Sequence, residues 1–363
     1  MALVLRYKAH TLKFKFKAGT SRGVLTEKKT WLLNVHESHH PEVYGLGECG
    51  PLEGLSIDDH PEYEPFIERV AQGLRQEAMP GSEGEVYSLV KQVVPKELPA
   101  LRFGLESALL DLLNEGQRMI FKNRLVASGD RLPINGLIWM GDIEWMRDQI
   151  AEKLEAGYSC IKLKIGALDF EKECELIEGI RKRYSADQIT LRVDANGAFR
   201  TNEALAKLKR LGEYDLHSIE QPIMPHQPEA MQMVCKHSKV PVALDEELIG
   251  VHGEEEKREL LRFIQPQYLV LKPTLLGGMA YTKDWIGLAQ EKGIGWWITS
   301  ALESNIGLNA ITQFTASFPV GMPQGLGTGQ LYENNFDSPL RVSRGCISYD
   351  QDTPWRLDGL QFH

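Results

Sequence analysis

Lys164, Asp194, Glu220, Asp245 and Lys272 each close an apolar run, and they recur at intervals of 25 to 30 residues. One strand, one loop and one helix of a parallel βα repeat take about that many residues, so the spacing puts each charge at the same end of successive strands. The five side chains then converge on one mouth. Three carboxylates between two lysines, at the C-terminal ends of barrel strands, are what metal-assisted removal of a proton beside a carboxylate requires.

The segments around them carry the elements that must position them. Ile161–Ile165 reads IKLKI, so Lys162 and Lys164 share the inward face of a strand and Leu163 takes the other. Ile189–Gly197 (ITLRVDANG) is a β-branched run closing on Asp194 and Asn196. Ser218–Ile223 (SIEQPI) sets Glu220 before a strand-ending Pro222. Val240–Leu248 (VPVALDEEL) ends on Asp245, Glu246 and Glu247, and Tyr268–Gly278 (YLVLKPTLLGG) has Lys272 just before Pro273.

Taken in order, K-x-K, D-x-N, E-Q-P, D-E and K, each ending a strand, make a chain that resembles the enolase superfamily and its muconate cycloisomerase-like branch. The phrases ALDEEL, LVLKPTLLGG and TSALESNIGLNA are further similar to the o-succinylbenzoate synthases of menaquinone biosynthesis. The likeness runs from Lys162 to about Gly329. It implies a modified (β/α)8 TIM-type barrel with a discontinuous α+β capping domain.

Size and patterning agree with that architecture. A chain of 363 residues suits a barrel of roughly 200 to 250 residues with a smaller partner. Alternation of Leu12, Phe14 and Phe16 with lysines reads as a half-buried strand, not a signal peptide. Strand patterns to about Val35 surround the loop Gly19–Gly23, and Val43–Glu48 is a third strand. Helical spacing follows over Pro61–Glu77, Glu83–Val94 and Pro99–Glu115. Residues 1–130 are therefore read as the α+β cap, 131–330 as the barrel, and 331–363 as a tail returning to the cap. Pro133–Met140 is the first barrel strand, Gly295–Glu303 the seventh and Pro323–Gly329 the eighth, with amphipathic helices such as Phe170–Tyr184 between strands.

The net charge of −9 argues against nucleic acid, which needs clustered Lys and Arg to displace counterions. No run reaches membrane-spanning length. Five cysteines, an odd count without C-x-x-C spacing, suit reduced thiols in the cytoplasm. Composition leaves a homo-oligomer open.

An Asp or Glu ending a strand often only caps the next helix, but three in register favour ligands. Carboxylate oxygens suit a hard ion, so Asp194, Glu220 and Asp245 are expected to hold Mg²⁺, with Mn²⁺ as a substitute. Asn196 and Glu246 are read as orienting those ligands, although alternation puts Glu246 opposite Asp245. A lone inward lysine would only balance the acids; Lys162 beside Lys164, with the metal's charge, should lower a lysine pKa toward working pH. The resemblance implies that Lys164 is the acid/base, Lys162 its electrostatic neighbour and Lys272 either a cation over the ring, as in the synthases, or a second base, as in the epimerases. Dipeptide epimerases carry Asp-x-Asp at the eighth strand to hold an ammonium, whereas Gly325–Gly329 reads GLGTG.

Gly19–Gly23 holds Ser21 and Arg22 between glycines, and the family layout makes it a lid over an anionic substrate. Ser300 and Glu303 are expected to line the site; Leu46, Leu52 and Trp139 suit either site or core. His36, His39 and His40 read as a surface turn and receive no role. The activity implied is syn dehydration of 2-succinyl-6-hydroxy-2,4-cyclohexadiene-1-carboxylate, a small dicarboxylate, to 2-succinylbenzoate. N-acylamino acid racemase, dipeptide epimerase and muconate cycloisomerase need the same metal and lysines, and a non-catalytic metal-stabilised barrel would be expected to have lost one of them.

Overall fold

The computed structural model describes residues 2–21, 23–357 and 359–362. Leu12 and Phe14 are buried and the lysines between them exposed, as alternation on a one-sided sheet demands. They lie on β1 (Leu3–Thr20), which pairs antiparallel with β2 (Gly23–Glu37), itself antiparallel to β3 (Tyr44–Cys49). Helices α1 (Glu64–Leu74), α2 (Glu83–Val93) and α3 (Pro99–Leu113) follow.

Helix α3 is buried along nearly its whole length and packs on β3. Gly45 and Gly47 make that approach possible, because a Cβ at either would overlap the carbonyl oxygen of Ala108 or Gly104. Glycine in a strand here marks backbone lying against backbone.

Downstream, β4 (Leu132–Pro133) precedes seven parallel strands: β5 (Gly136–Ile138), β6 (Cys160–Lys164), β7 (Thr190–Asp194), β8 (Ser218–Glu220), β9 (Val242–Leu244), β10 (Tyr268–Leu271) and β11 (Gly295–Ile298). Each pairs with its neighbour in sequence. Helices cross over between most of them, and Asp142, Asp169 and Ser304 cap three of these by accepting from backbone N–H groups. The eighth position is not a full strand. Gln324 bridges to Ile134 and Gly325 to Thr299, both in parallel sense, so two residues close the curled sheet into a barrel. Pro323 lacks an amide donor and the glycine-rich run offers little to pack, so the chain turns at once into a 3-10 helix over Gly327–Gln330. The seventh strand likewise stops at Ile298, short of Glu303.

Beyond the barrel, β12 (Leu340–Ser343) pairs with β13 (Cys346–Tyr349), and β13 with β4. Phe336, Trp355 and Leu357 pack against Leu32 and Leu46 of the first sheet, so the tail joins β4 to that sheet. His36 lies buried in β2, hydrogen-bonded to Asn34, while His39 and His40 are exposed in the turn that follows. No helix of the described residues is long and apolar enough to cross a membrane.

Because α3 and β3 touch through their backbones, Gly47→Ala should force them apart and lower stability by about 3 kcal/mol. Urea denaturation followed by circular dichroism measures the loss.

Candidate active site

The parallel register of β6, β7 and β8 sets Lys164 beside Asp194 and Asp194 beside Glu220. Lys162 donates to Glu220 and stands 2.9 Å from Asp194 Oδ2, and Lys164 donates to the same Asp194 oxygen at 2.6 Å. Across the barrel Lys272 donates to Asp245. Lys272 follows β10, four positions from β6 in the strand order, so it faces Lys164 from the opposite wall. All six side chains are buried.

These charges separate the titration of the three lysines. Burial opposes a charge on Lys162, but Asp194 and Glu220 outweigh it and hold its pKa above the ordinary lysine value. Lys272 is also held up, by Asp245, Glu220 and Glu246 acting against burial. Lys164 alone among them is pushed down, first by burial and then by Lys162 and Lys272, against the attraction of Asp194. The expected lowering thus falls on Lys164 and not on Lys162. Burial and the neighbouring Asp194 push Glu220 well up, whereas the lysines hold Asp194 far down despite its burial.

Asn196 ties the cluster together. Its side chain accepts from Lys164 at 2.8 Å and donates to Glu246 Oε1 at 3.0 Å, while its N–H donates to Asp194 Oδ1 at 3.0 Å. Alternation fails to place Glu246 because the chain leaves β geometry at Asp245 and enters a 3-10 turn over Glu246–Leu248, which swings Glu246 toward Asn196. Gln221 was not singled out by sequence. It is fully buried, and its Oε1 accepts from the N–H groups of Asp245 and Glu247, fixing the end of β9 from the end of β8. Its signal was the E-Q-P phrase: a polar residue between a carboxylate and a proline. Asn196 and Gln221 both adopt positive φ, turning the chain sharply after each acid.

A cavity of about 340 Å³ opens on this cluster. Lys162, Lys164 and Lys272 line it, with Leu25, Leu52, Leu137 and Trp139 as apolar walls and Ser300, Thr328 and Asn135 as neutral polar ones. Leu46 packs in the core instead. Glu303 lies behind the wall, accepting from Ser300 at 2.6 Å and from Thr274 at 2.5 Å. Ser21 donates to the carbonyl of Ala195 at 3.0 Å, which brings the Gly19–Gly23 loop onto the end of β7. Arg22 lies outside the described residues.

Among the described residues no three His, Cys, Asp or Glu side chains are grouped closely enough to enclose a metal ion as they stand. The lysine ammonium groups lie between the acids and the cavity. The donor chemistry of the acids still fits a hard divalent cation: three carboxylates end consecutive parallel strands, and Glu220 Oε1 is buried without a hydrogen-bond partner among the described residues.

Residues 145–354 match the enolase C-terminal domain-like family, and the chain belongs to it. An o-succinylbenzoate synthase of Desulfotalea psychrophila is 47% identical over 364 residues, covering 94% of this chain and 98% of that protein. The crystal structure of MenC from Desulfotalea psychrophila superposes with a TM-score of 0.85 at 44% identity, over 96% of this chain and 100% of that one. A dipeptide epimerase of Cytophaga hutchinsonii, crystallised with Mg and the dipeptide D-Ala-L-Val, shares the fold at a TM-score of 0.84 and 18% identity, over 99% and 98% of the two chains.

Removing Lys162 leaves Asp194 and Glu220 buried against each other. Lys162→Ala should therefore destabilise the metal-free protein by about 3 to 5 kcal/mol, while Lys182→Ala, at an exposed pair with Glu178, should change stability by less than about 1 kcal/mol. Urea titrations in EDTA compare the two.

Proposed function

We propose that this chain is an o-succinylbenzoate synthase, a hydro-lyase that converts 2-succinyl-6-hydroxy-2,4-cyclohexadiene-1-carboxylate into 2-succinylbenzoate for menaquinone biosynthesis. The observation that carries the reading is 47% identity to a synthase of that name across 94% of the chain. The site chemistry supports it. Asp194, Glu220 and Asp245 would hold Mg²⁺, or Mn²⁺ in its place. When bound, the ion supplies Lewis-acid polarisation of the substrate carboxylate, which acidifies the adjoining C–H.

The residues of the chain do the rest. Lys164, the lysine whose pKa is pushed down, takes the proton from the ring carbon that bears the carboxylate. Lys272, held protonated from the opposite wall, steadies the negative charge that spreads into the ring and carboxylate. Lys164 then returns its proton to the hydroxyl on the same face, the C–O bond breaks, water departs and the ring becomes aromatic. Lys162 donates to Glu220, helps to hold Asp194 ionised and adds positive charge beside Lys164. Asn196 and Glu246 orient Lys164 and Asp194. Ser21 belongs to the loop over the substrate, and Ser300 to its wall. The five cysteines are free thiols, which supports a reducing, cytoplasmic setting.

Lys164 and Lys272 on opposite walls also suit a two-base racemisation of an N-acylated amino acid. Proton exchange separates the readings. In D₂O, a saturated analogue of the substrate should exchange its α-proton from the Lys164 face alone; exchange of both enantiomers, one of them lost in Lys272→Ala, would mark a second base.

Purified protein given the diene and Mg²⁺ should yield 2-succinylbenzoate, seen by ultraviolet absorbance and mass. EDTA should abolish turnover and Mg²⁺ or Mn²⁺ restore it; turnover that survives exhaustive chelation contradicts the metal assignment.

Lys164→Ala should cut kcat by at least about a thousandfold, since it removes the group that both takes and returns the proton. Near-normal turnover in that variant would mean that another base operates.

A further inference from the structure

The cavity has a charged end, where the three lysines stand, and a neutral wall made by the first, seventh and eighth barrel positions. Its neutral polar side chains are Thr20, Asn135, Thr299, Ser300 and Thr328. A hydroxyl has one proton to donate, and all four hydroxyls donate it within the protein. Thr20 donates to Gly23 O at 3.2 Å, Thr299 to Gly325 O at 3.0 Å, Ser300 to Glu303 Oε2 at 2.6 Å and Thr328 to Ser300 Oγ at 2.9 Å.

Asn135 differs. Its backbone is fixed on the seam that closes the barrel, where its N–H donates to Gln324 O at 2.9 Å. It lies two residues before Leu137, which pairs with Lys162, so alternation turns Asn135 to the inward face that Leu137 shares. The residue is only 4% exposed, and among the described residues its Oδ1 is buried without a hydrogen-bond partner. No hydrogen bond of the Asn135 amide to another described side chain or backbone group holds it in the fold. The buried Oδ1 can be matched only by a donor, whereas the Nδ2–H group, on a side chain that lines the cavity and donates to no described group, is matched when a ligand brings an acceptor.

The substrate assigned above carries, besides its ring carboxylate, a four-carbon arm with a ketone at its root and a carboxylate at its end. These oxygens accept hydrogen bonds and donate none, so hydroxyls already donating elsewhere cannot serve them. We propose that the Nδ2–H group of Asn135 donates a hydrogen bond to an oxygen of that arm, which makes Asn135 a substrate-contacting residue that selects for it. This rests on the synthase reading, with the reacting carbon at the lysine end of the cavity and the arm along the neutral wall.

The test titrates the Mg²⁺-loaded protein calorimetrically with 2-succinylbenzoate and with 2-butylbenzoate, whose arm has no oxygen. Asn135→Leu keeps the shape and removes both polar atoms. It should weaken binding of 2-succinylbenzoate about tenfold or more, leave 2-butylbenzoate unchanged, and raise KM more than it lowers kcat. Unchanged affinity for 2-succinylbenzoate overturns the proposal, and so does an equal loss for both ligands, the mark of a purely structural role. If Asn135→Leu does not fold, Asn135→Asp, of the same size but lacking the donor, decides by the same two titrations. A wild type that neither binds nor forms 2-succinylbenzoate overturns the synthase reading and this assignment with it, and that result is seen before any variant is compared.

Discussion

Like charges at close range inside a barrel are the constraint on which the rest of the structure depends. Parallel register forces Asp194 beside Glu220, and the end of β9 adds Asp245. Carboxylates so placed repel one another in a medium that screens poorly, and burial alone disfavours their ionised forms. Cations must therefore stand among them. Lys162, Lys164 and Lys272 do so as direct partners, and they reach the acids from both walls of the barrel. The same positive groups are those that a reaction generating negative charge beside a carboxylate needs, so stability and chemistry draw on one arrangement.

That arrangement is held from outside by carboxylates of the N-terminal segment. Glu48 of β3 accepts from the N–H groups of Ser304 and Gly307, at the start of the helix that follows the seventh strand. Glu106 of α3 accepts from Met279 N, at the start of the helix Gly278–Lys292 between β10 and β11. Both place carboxyl oxygens at a helix N-terminus, where they satisfy orphaned backbone donors. Burial pushes the pKa of Glu106 up to about 8. A folded-state value above the unfolded one means that this carboxyl favours folding fully below about pH 4.5 and that the benefit fades as pH rises toward about 8. Lys28 of β2 completes the joint by donating to the carbonyls of Ala301 and Leu302, which line the cavity. The cavity wall is thus set by contacts far apart in sequence.

This explains which features the sequence displays and which it hides. The five charges and their strands are legible because strand spacing and side-chain alternation are local rules, and Lys162 and Lys164 obey them within one five-residue strand. Glu246 escapes because one residue of 3-10 turn cancels the alternation that would have placed it. The eighth strand shows its place, within Pro323–Gly329, but not its length, because Pro323 and Gly325 keep its pairing to two bridges. Asn135, Gln221 and Lys28 escape for another reason. Each matters through a partner 26 to 273 residues away, such as Glu247 for Gln221 or Ala301 for Lys28, and no window of sequence contains both ends.

The division of the barrel wall follows from the same physics. Strands β6 to β10 carry every charge of the cluster, so exchanging any one of them disturbs the balance of the others. The opposite arc, from the Gln324–Gly325 bridge to β5, is neutral and built from glycines, threonines and Asn135. Substitutions there change shape and hydrogen bonding without moving a buried charge. A barrel so divided can change the shape of its neutral arc while the charge balance of β6 to β10 stays as it is.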